Sequence, residues 1–286
     1  MQAKHHPQPN QTAVRTALWR ALHLQADPLP HILEDAIGIK LVSPEKDWEK
    51  QPDMDPDFTR RVRLAIVTRA RFMDDLATTH FRAGINQYII LGSGLDTFAQ
   101  RRSQQLDGLQ IFEIDHPDTL TWKEQRLKEL GYTIPPSLHF VPVNFEEQKS
   151  WLKALEKSGF DSTQPAFIAC TGVSMYLTQE AILDTLKQIS RLASGSKLVM
   201  TFMLPFNLIS KTDQPLQQIS IDGAKKSGTP FISFFSPEEA IDLANSCHLK
   251  EIQIATYEDL ENIYFIDRSD NLSPADGEIF LMADIG

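Results

Sequence analysis

Cysteine is scarce in this chain. Cys170 and Cys247 are the only two in 286 residues, and they form no CxxC pair. A disulfide framework and a cysteine-based zinc site are therefore not expected, and a reducing, cytoplasmic setting is. Long apolar runs are missing as well. No 18 consecutive residues are apolar, so no membrane-spanning helix is expected. The first residues, MQAKHHPQPNQT, lack the apolar core of a secretory signal and read as a mobile polar tail. Dense blocks of lysine and arginine are absent, and the net charge is −10. Nucleic acid and anionic membranes are thereby disfavoured as main partners. None of the histidines has metal-ligand spacing: His5 and His6 lie in the tail, His116 beside Asp115 and His139 in a strand. No metal site is expected. Internal repeats and low-complexity tracts are also missing.

What is present supports a large core. Hydrophobic residues make up 42% against 23% charged, which excludes a disordered chain. Apolar runs at 88–91, 111–114, 138–143, 166–170 and 198–203 alternate with helix-like stretches at about 95–105, 117–130, 146–158 and 178–193. Such alternation predicts an α/β fold, a doubly wound parallel sheet with helices on both faces. Short helices broken by DPLP and SPEKDWEKQPDMDP are expected over 13–50, and a strong helix over 58–79. The runs at 250–257 and 278–284 have no helix of comparable length between them. They are expected to pair antiparallel at one edge. The stretch before them, 204–235, is long for a connection and reads as a lid. The expected organisation is a single domain: a helical part over 1–80, a ligand-binding core over 81–203, a cap over 204–235, and a closing helix with edge strands over 236–286.

The chemistry concentrates where the strands end. Tyr88-Ile89-Ile90-Leu91 runs into Gly92-Ser93-Gly94. Glycines there let a backbone approach a ligand closely, since no Cβ intervenes. A dinucleotide fingerprint requires a third glycine at position 97, which is threonine, so a pyrophosphate fits poorly. Asp115 follows 21 residues after Gly94, at the end of the second run. An acid at that place accepts hydrogen bonds from ribose hydroxyls. The bland alternatives are that Asp115 is only a helix cap, and a second acid, Glu113, read as pointing the other way off the strand. In 58–79 the apolar series Val62, Ala65, Ile66, Phe72, Met73 and Leu76 is interrupted by Arg69 on the same face, whereas Arg63 and Arg71 fall on other faces as solvated charges. A guanidinium on an inner stripe needs an anion, either a structural acid or a ligand carboxylate. Asn144-Phe145 after the third strand suits an adenine, and Thr171-Gly172 ends the fourth. Thr178 is a plausible N-cap of the helix that follows, and Tyr176 lies on the loop before it. Together these describe a ligand with an adenosine-like part and a carboxylate but no pyrophosphate, which fits S-adenosylmethionine.

The strings LGSGLDTFAQRR, FEIDHPDTLTWKEQRL, FVPVNFEE and GVSMYLTQEAI resemble the leucine carboxyl methyltransferase family. The nearer likeness is to its bacterial branch of S-adenosylmethionine-dependent, polyketide-type O-methyltransferases. It extends to TALWRALHLQADPL, TRARFMDD and GTPFISFFSPEEA, nearly the whole chain. The resemblance implies a class I methyltransferase (Rossmann-like) fold, mostly parallel, with an antiparallel strand pair at one edge. It implies Arg69 for the methionine carboxylate, Gly92, Ser93 and Gly94 as the glycine loop, Asp115 with neighbouring His116 for the ribose, and Asn144 and Phe145 for the adenine. Two departures stand out. Asn144 replaces the family's usual Asp and keeps an acceptor. Thr171 replaces a Glu that resembles a partner for the cofactor's ammonium group. A neutral hydrogen bond in place of a charge-assisted one costs about 1–2 kcal/mol of affinity. The expected activity is O-methylation of a small-molecule carboxylate, with Tyr176 near the transferred methyl. Two other readings share parts of this pattern: an NAD-dependent oxidoreductase, and a weakened methyltransferase-fold binding protein.

Overall fold

The computed structural model describes residues 7–102, 104–145 and 150–286. Three helices come first: α1 (Gln11–Ala26), α2 (Ile37–Val42) and α3 (Arg60–Arg82). Then β1 (Gln87–Leu91), α4 (Phe98–Arg102), β2 (Gln110–Asp115), α5 (Pro117–Glu129), β3 (Leu138–Pro142), α6 (Trp151–Glu156), β4 (Phe167–Cys170), α7 (Gln179–Ile189) and β5 (Lys197–Met203) alternate. The chain closes with α8 (Gln214–Lys226), α9 (Pro237–Ser246), β6 (Lys250–Ala255), α10 (Tyr257–Tyr264) and β7 (Glu278–Asp284). The strands form one sheet in the order β3-β2-β1-β4-β5-β7-β6. From β3 to β5 neighbours run parallel, and β7 is antiparallel to both β5 and β6.

Every residue of β1 and of β4 is buried, because helices cover both sheet faces. That is why these strands read as unbroken apolar runs rather than alternating ones. On one face Phe112, Ile168 and Leu198 pack with Trp151, Ile182, Leu186 and Leu243 of α6, α7 and α9. On the other, Tyr88, Phe167 and Phe280 pack under Phe72, Phe98 and Leu260 of α3, α4 and α10.

Several elements differ from expectation for local reasons. The helix expected over 95–105 covers only Phe98–Arg102, because residues 92–96 are spent on a turn whose Asp96 Oδ1 caps Phe98 N at 2.7 Å. The helix expected over 146–158 begins at Trp151, capped by Ser150, and 146–149 lie outside the described residues. Thr178 does cap α7. The final strands pair as expected, but β6 stops at Ala255. There Thr256 and Asp259 form a capping box that starts the eight-residue α10. Of the tail expected over 1–12, residues 1–6 lie outside the described residues and 11–12 belong to α1, which Asn10 starts by accepting from Thr12 N at 2.9 Å. α1 is one 16-residue helix rather than several short ones.

Arg63 corrects a larger expectation. It is not a solvated charge but is fully buried, with Nε 2.8 Å from Asp27 Oδ2 and Nη2 2.5 Å from Asp27 Oδ1. Arg71 is also engaged, by Asp75, the Ile32 carbonyl and the face of Tyr264. The chain after α1 wraps that side of α3, so Leu64 and Val67 join Ile32, Leu33, Phe265 and Leu272. A single-stripe reading of a helix fails when neighbours sit on two sides.

Burial on its own would raise the Asp27 pKa, but hydrogen bonds from Arg63 and from His23 outweigh it and hold the carboxyl at about 2. A depressed acid contributes stability above its unfolded pKa and loses it as the pH falls through the folded one. Removing one partner of a buried pair leaves an uncompensated charge, at about 3–5 kcal/mol. Arg63→Ala is thus expected to lower the urea-unfolding free energy by about that much at pH 7, and the deficit relative to wild type should shrink between pH 4 and pH 2. A deficit under about 1 kcal/mol at pH 7, the range of an exposed pair, contradicts it.

Candidate functional site

The carboxyl ends of β1, β2, β4 and β5 open into one cavity of about 1030 Å³ under α1, α3 and α8. In an open α/β sheet this is where the strand order reverses, between β1 and β4. Arg69, Gly92, Ser93, Gly94, Asp115, His116, Asn144, Phe145, Thr171 and Tyr176 all line it.

The glycine turn is built by close approach. Gly92 has φ +70°, and a Cβ there would lie 2.3 Å from Val173 Cγ2 on the turn after β4. Gly94 has φ +51°, and a Cβ there would lie 3.1 Å from Ala13 Cβ of α1. Side chains are disfavoured at both positions on conformational and steric grounds. Between them Ser93 Oγ is buried without a partner. Thr97, where a third glycine would stand, is buried and accepts from Arg101 Nε at 2.9 Å.

Asp115 is not the cap of α5. That place belongs to His116, whose half-exposed ring accepts from Asp118 N. The Asp115 carboxylate instead accepts from Gly94 N at 2.7 Å and from His116 N at 2.7 Å. Burial raises its pKa, and these two backbone donors pull the other way. Glu113, the rival acid, does not line the cavity and is fully buried against Lys123. Burial pushes Glu113 up to about 7 despite that cation. Two positions apart, the two acids share one strand face, and they are separated along it: Lys123 holds Glu113 back inside the sheet, while Asp115 ends the strand at the cavity.

Arg69 reaches the cavity from α3 with Val62, Ala65, Ile66, Ala70 and Met73 around it. Its Nη1 donates to Glu278 Oε2 at 2.9 Å, at the start of β7. Its guanidinium also lies against Gly172, where a Cβ would stand 3.0 Å from Nη2. Gly172 has φ +70° and donates its N–H to Thr201 Oγ1 at 2.9 Å. Tyr176 stands near this group, edge-on to Phe231 at 5.3 Å. Burial raises the Tyr176 phenol above its ordinary value, while a hydrogen bond with Thr12 and the charge of Arg69 oppose that rise.

Sequence reasoning missed Glu278, Tyr257 and the start of α1. Tyr257 OH lies 3.0 Å from the Ala65 carbonyl and 3.3 Å from Glu278 Oε2. The one available signal for Glu278 was a charge opening the apolar run EIFLMAD. Residues 204–235 contribute α8 and an extended return. Arg61 grips Asp213 before α8 at 2.6 and 2.8 Å, and Asp276 N donates to the same carboxylate. On the return, Ile232 N donates to Met175 O and Phe235 N to Met203 O. Trp19, Phe58, Val62, Ile66, Leu216 and Ile219 form an apolar compartment between α1, α3 and α8. Phe58 and Ile219 stand exposed at its mouth. His139 stacks on Phe112 inside the sheet, and no metal-binding cluster occurs among the described residues.

Comparison with known proteins agrees with this architecture. Residues 13–190 match the sequence profile described as "Leucine carboxyl methyltransferase". A Bacillus subtilis (strain 168) protein named "Putative S-adenosyl-L-methionine-dependent methyltransferase YktD" is 33% identical over 92% of this chain and 93% of its own. Among solved structures, a DUF574 family protein of Streptomyces avermitilis superposes with a TM-score of 0.62 at 15% identity, over 94% of this chain and 97% of that one. A Thermobifida fusca YX protein named "putative methyltransferase" gives 0.61 at 18% identity, over 98% and 96%. At such identities the two structures bear on the fold, while the profile and the Bacillus relative bear on descent. The oxidoreductase and the non-enzymatic readings find no support among these matches. The chain belongs to the leucine carboxyl methyltransferase family.

Proposed function

We propose that this chain, an S-adenosylmethionine-dependent methyltransferase, methylates a carboxylate oxygen of a small acid with an apolar body. The residues of the cavity fit the cofactor. The glycine turn leaves a cradle that a Cβ would fill, and the orphaned Ser93 Oγ lies within it. Asp115 would hold the ribose, with His116 beside it, and Asn144 with Phe145 would flank the adenine. Arg69 would meet the methionine carboxylate. When bound, S-adenosylmethionine supplies a methyl group activated by the positive sulfonium. The chain's task is then alignment and exclusion of water. Here α8 and the 229–235 return act as the cap.

One observation carries the carboxylate reading: Tyr176 stands on the cavity wall near Arg69, at the end away from the glycine turn's acid. Its phenol, like any ordinary tyrosine, is protonated at neutral pH and can donate a hydrogen bond, whereas the Tyr257 hydroxyl is taken by the Ala65 carbonyl. A phenol or alcohol acceptor needs a base to take its proton. A carboxylic acid is already ionised at pH 7 and needs only donors to orient it. Tyr176 is placed to give such a bond, and the compartment beyond it, from Trp19 to Ile219, suits an apolar body.

Titration calorimetry with S-adenosylhomocysteine should give saturable binding. Arg69→Ala and Asp115→Ala should each weaken it about tenfold or more, since charge-assisted hydrogen bonds contribute about 1.5–3 kcal/mol. No wild-type binding at millimolar ligand overturns the cofactor assignment. With methyl-labelled cofactor and a panel of apolar acids, alcohols and phenols, label should enter the acids and be released as methanol by mild alkali. Alkali-stable product overturns the carboxylate reading. Tyr176→Phe should lower kcat about tenfold, the worth of one hydrogen bond, and leave S-adenosylhomocysteine affinity unchanged. An unaltered kcat removes Tyr176 from the transfer step.

A further inference from the structure

The cavity wall carries an ion pair that packing does not explain. Arg69 and Glu278 lie 209 positions apart in sequence, on α3 and β7, yet meet at 2.9 Å on the cavity surface. A buried ion pair is weak support for stability, since apolar side chains of similar size often serve as well. Its position is more informative than its strength. The guanidinium lies close against Gly172, so the pair sits beside the β4 turn, where Thr171 offers no charge. Thr171 forms no side-chain hydrogen bond among the described residues.

We infer that Glu278 is the anionic subsite for the cofactor's ammonium group, the charge that Thr171 does not supply. This rests on the cofactor reading above. An α-amino acid carries its carboxylate and its ammonium on one carbon. It is therefore matched by a cation and an anion held side by side, as Arg69 and Glu278 are. The other acids of the wall are occupied elsewhere. Asp53 pairs with Arg15 at 2.8 Å, Asp96 caps α4, and Asp115 holds the glycine turn. Among the described residues, Glu278 is the acid on the wall that meets the Arg69 guanidinium. Arg69 Nη1 and Tyr257 OH fix the carboxylate from α3 and α10. Each oxygen accepts two hydrogen bonds, so capacity remains for an ammonium donor.

The test separates the amino group from the rest of the ligand. Affinities are measured for S-adenosylhomocysteine, for its analogue lacking the α-amino group, and for 5′-methylthioadenosine, which lacks the whole amino-acid part. Wild type should prefer S-adenosylhomocysteine over the deamino analogue by about tenfold or more, the worth of a charge-assisted bond. In Glu278→Gln that preference should fall to within about twofold, with the deamino analogue and methylthioadenosine bound as in wild type. A wild-type enzyme that binds both homocysteine ligands equally overturns the inference without any variant. So does a Glu278→Gln protein that keeps the preference, or one that loses both homocysteine ligands together while still binding methylthioadenosine. The last outcome makes Glu278 only a support for Arg69. Wild type that binds none of the three overturns the cofactor reading itself.

Discussion

The turns after β1 and β4 touch, and the site depends on that contact. A Cβ at Gly92 would meet Val173 at 2.3 Å. The two strands are neighbours in the sheet, but their chains leave in opposite directions, β1 toward β2 and β4 toward β5. A crevice opens between them, as it does at any such reversal. Glycine lets the crevice close at its base while its mouth stays open for a ligand. The remaining site groups are then set by register. Asp115 ends β2 next to the turn and ties Gly94 to it, and Thr171-Gly172 faces Gly92 across the gap.

Paired charges dock the helical amino-terminal part onto this base. Arg20 with Asp35 and Arg63 with Asp27 hold α1, α3 and the connection between them together, while Arg69 with Glu278 of β7 and Asp74 with Arg101 of α4 join α3 to the sheet part. Each pair contains a nearly buried acid. The acidic balance of the composition is therefore not all solvated surface. Such pairs are poor sources of net stability, yet each is costly to break once formed. They fix where α1 and α3 sit over the cavity, and so the shape of the apolar compartment. The Arg61–Asp213 pair does the same for α8.

Much of the fold was legible because the sheet is buried on both faces. β1, β2 and β4 have no solvent side, so they stand out as apolar runs. Boundaries suffered where side chains cap or turn the chain. Asp96 shortened α4, and the Thr256 box inserted α10. Helix α3 misled for a different reason. Periodicity reports one face, whereas α3 is covered on two, so the burial of Arg63 was invisible. In the site, Gly92, Gly94 and Asp115 were legible from spacing along one strand-turn-strand segment. Glu278 was not, since nothing local distinguishes it from an exposed acid at a strand end.

The sequence by itself determined the alternation of strands and helices, the glycine turn, the acid after β2 and the arginine on α3. These are carried by local periodicity and by the conformational freedom of glycine. Tertiary structure alone decided which acids face the cavity, what Arg69 meets, and that the start of α1 closes over Gly94. Those outcomes depend on segments up to 209 positions apart being brought within hydrogen-bond distance. Chain order does not encode such distances, because the strand order 3-2-1-4-5-7-6 sets them.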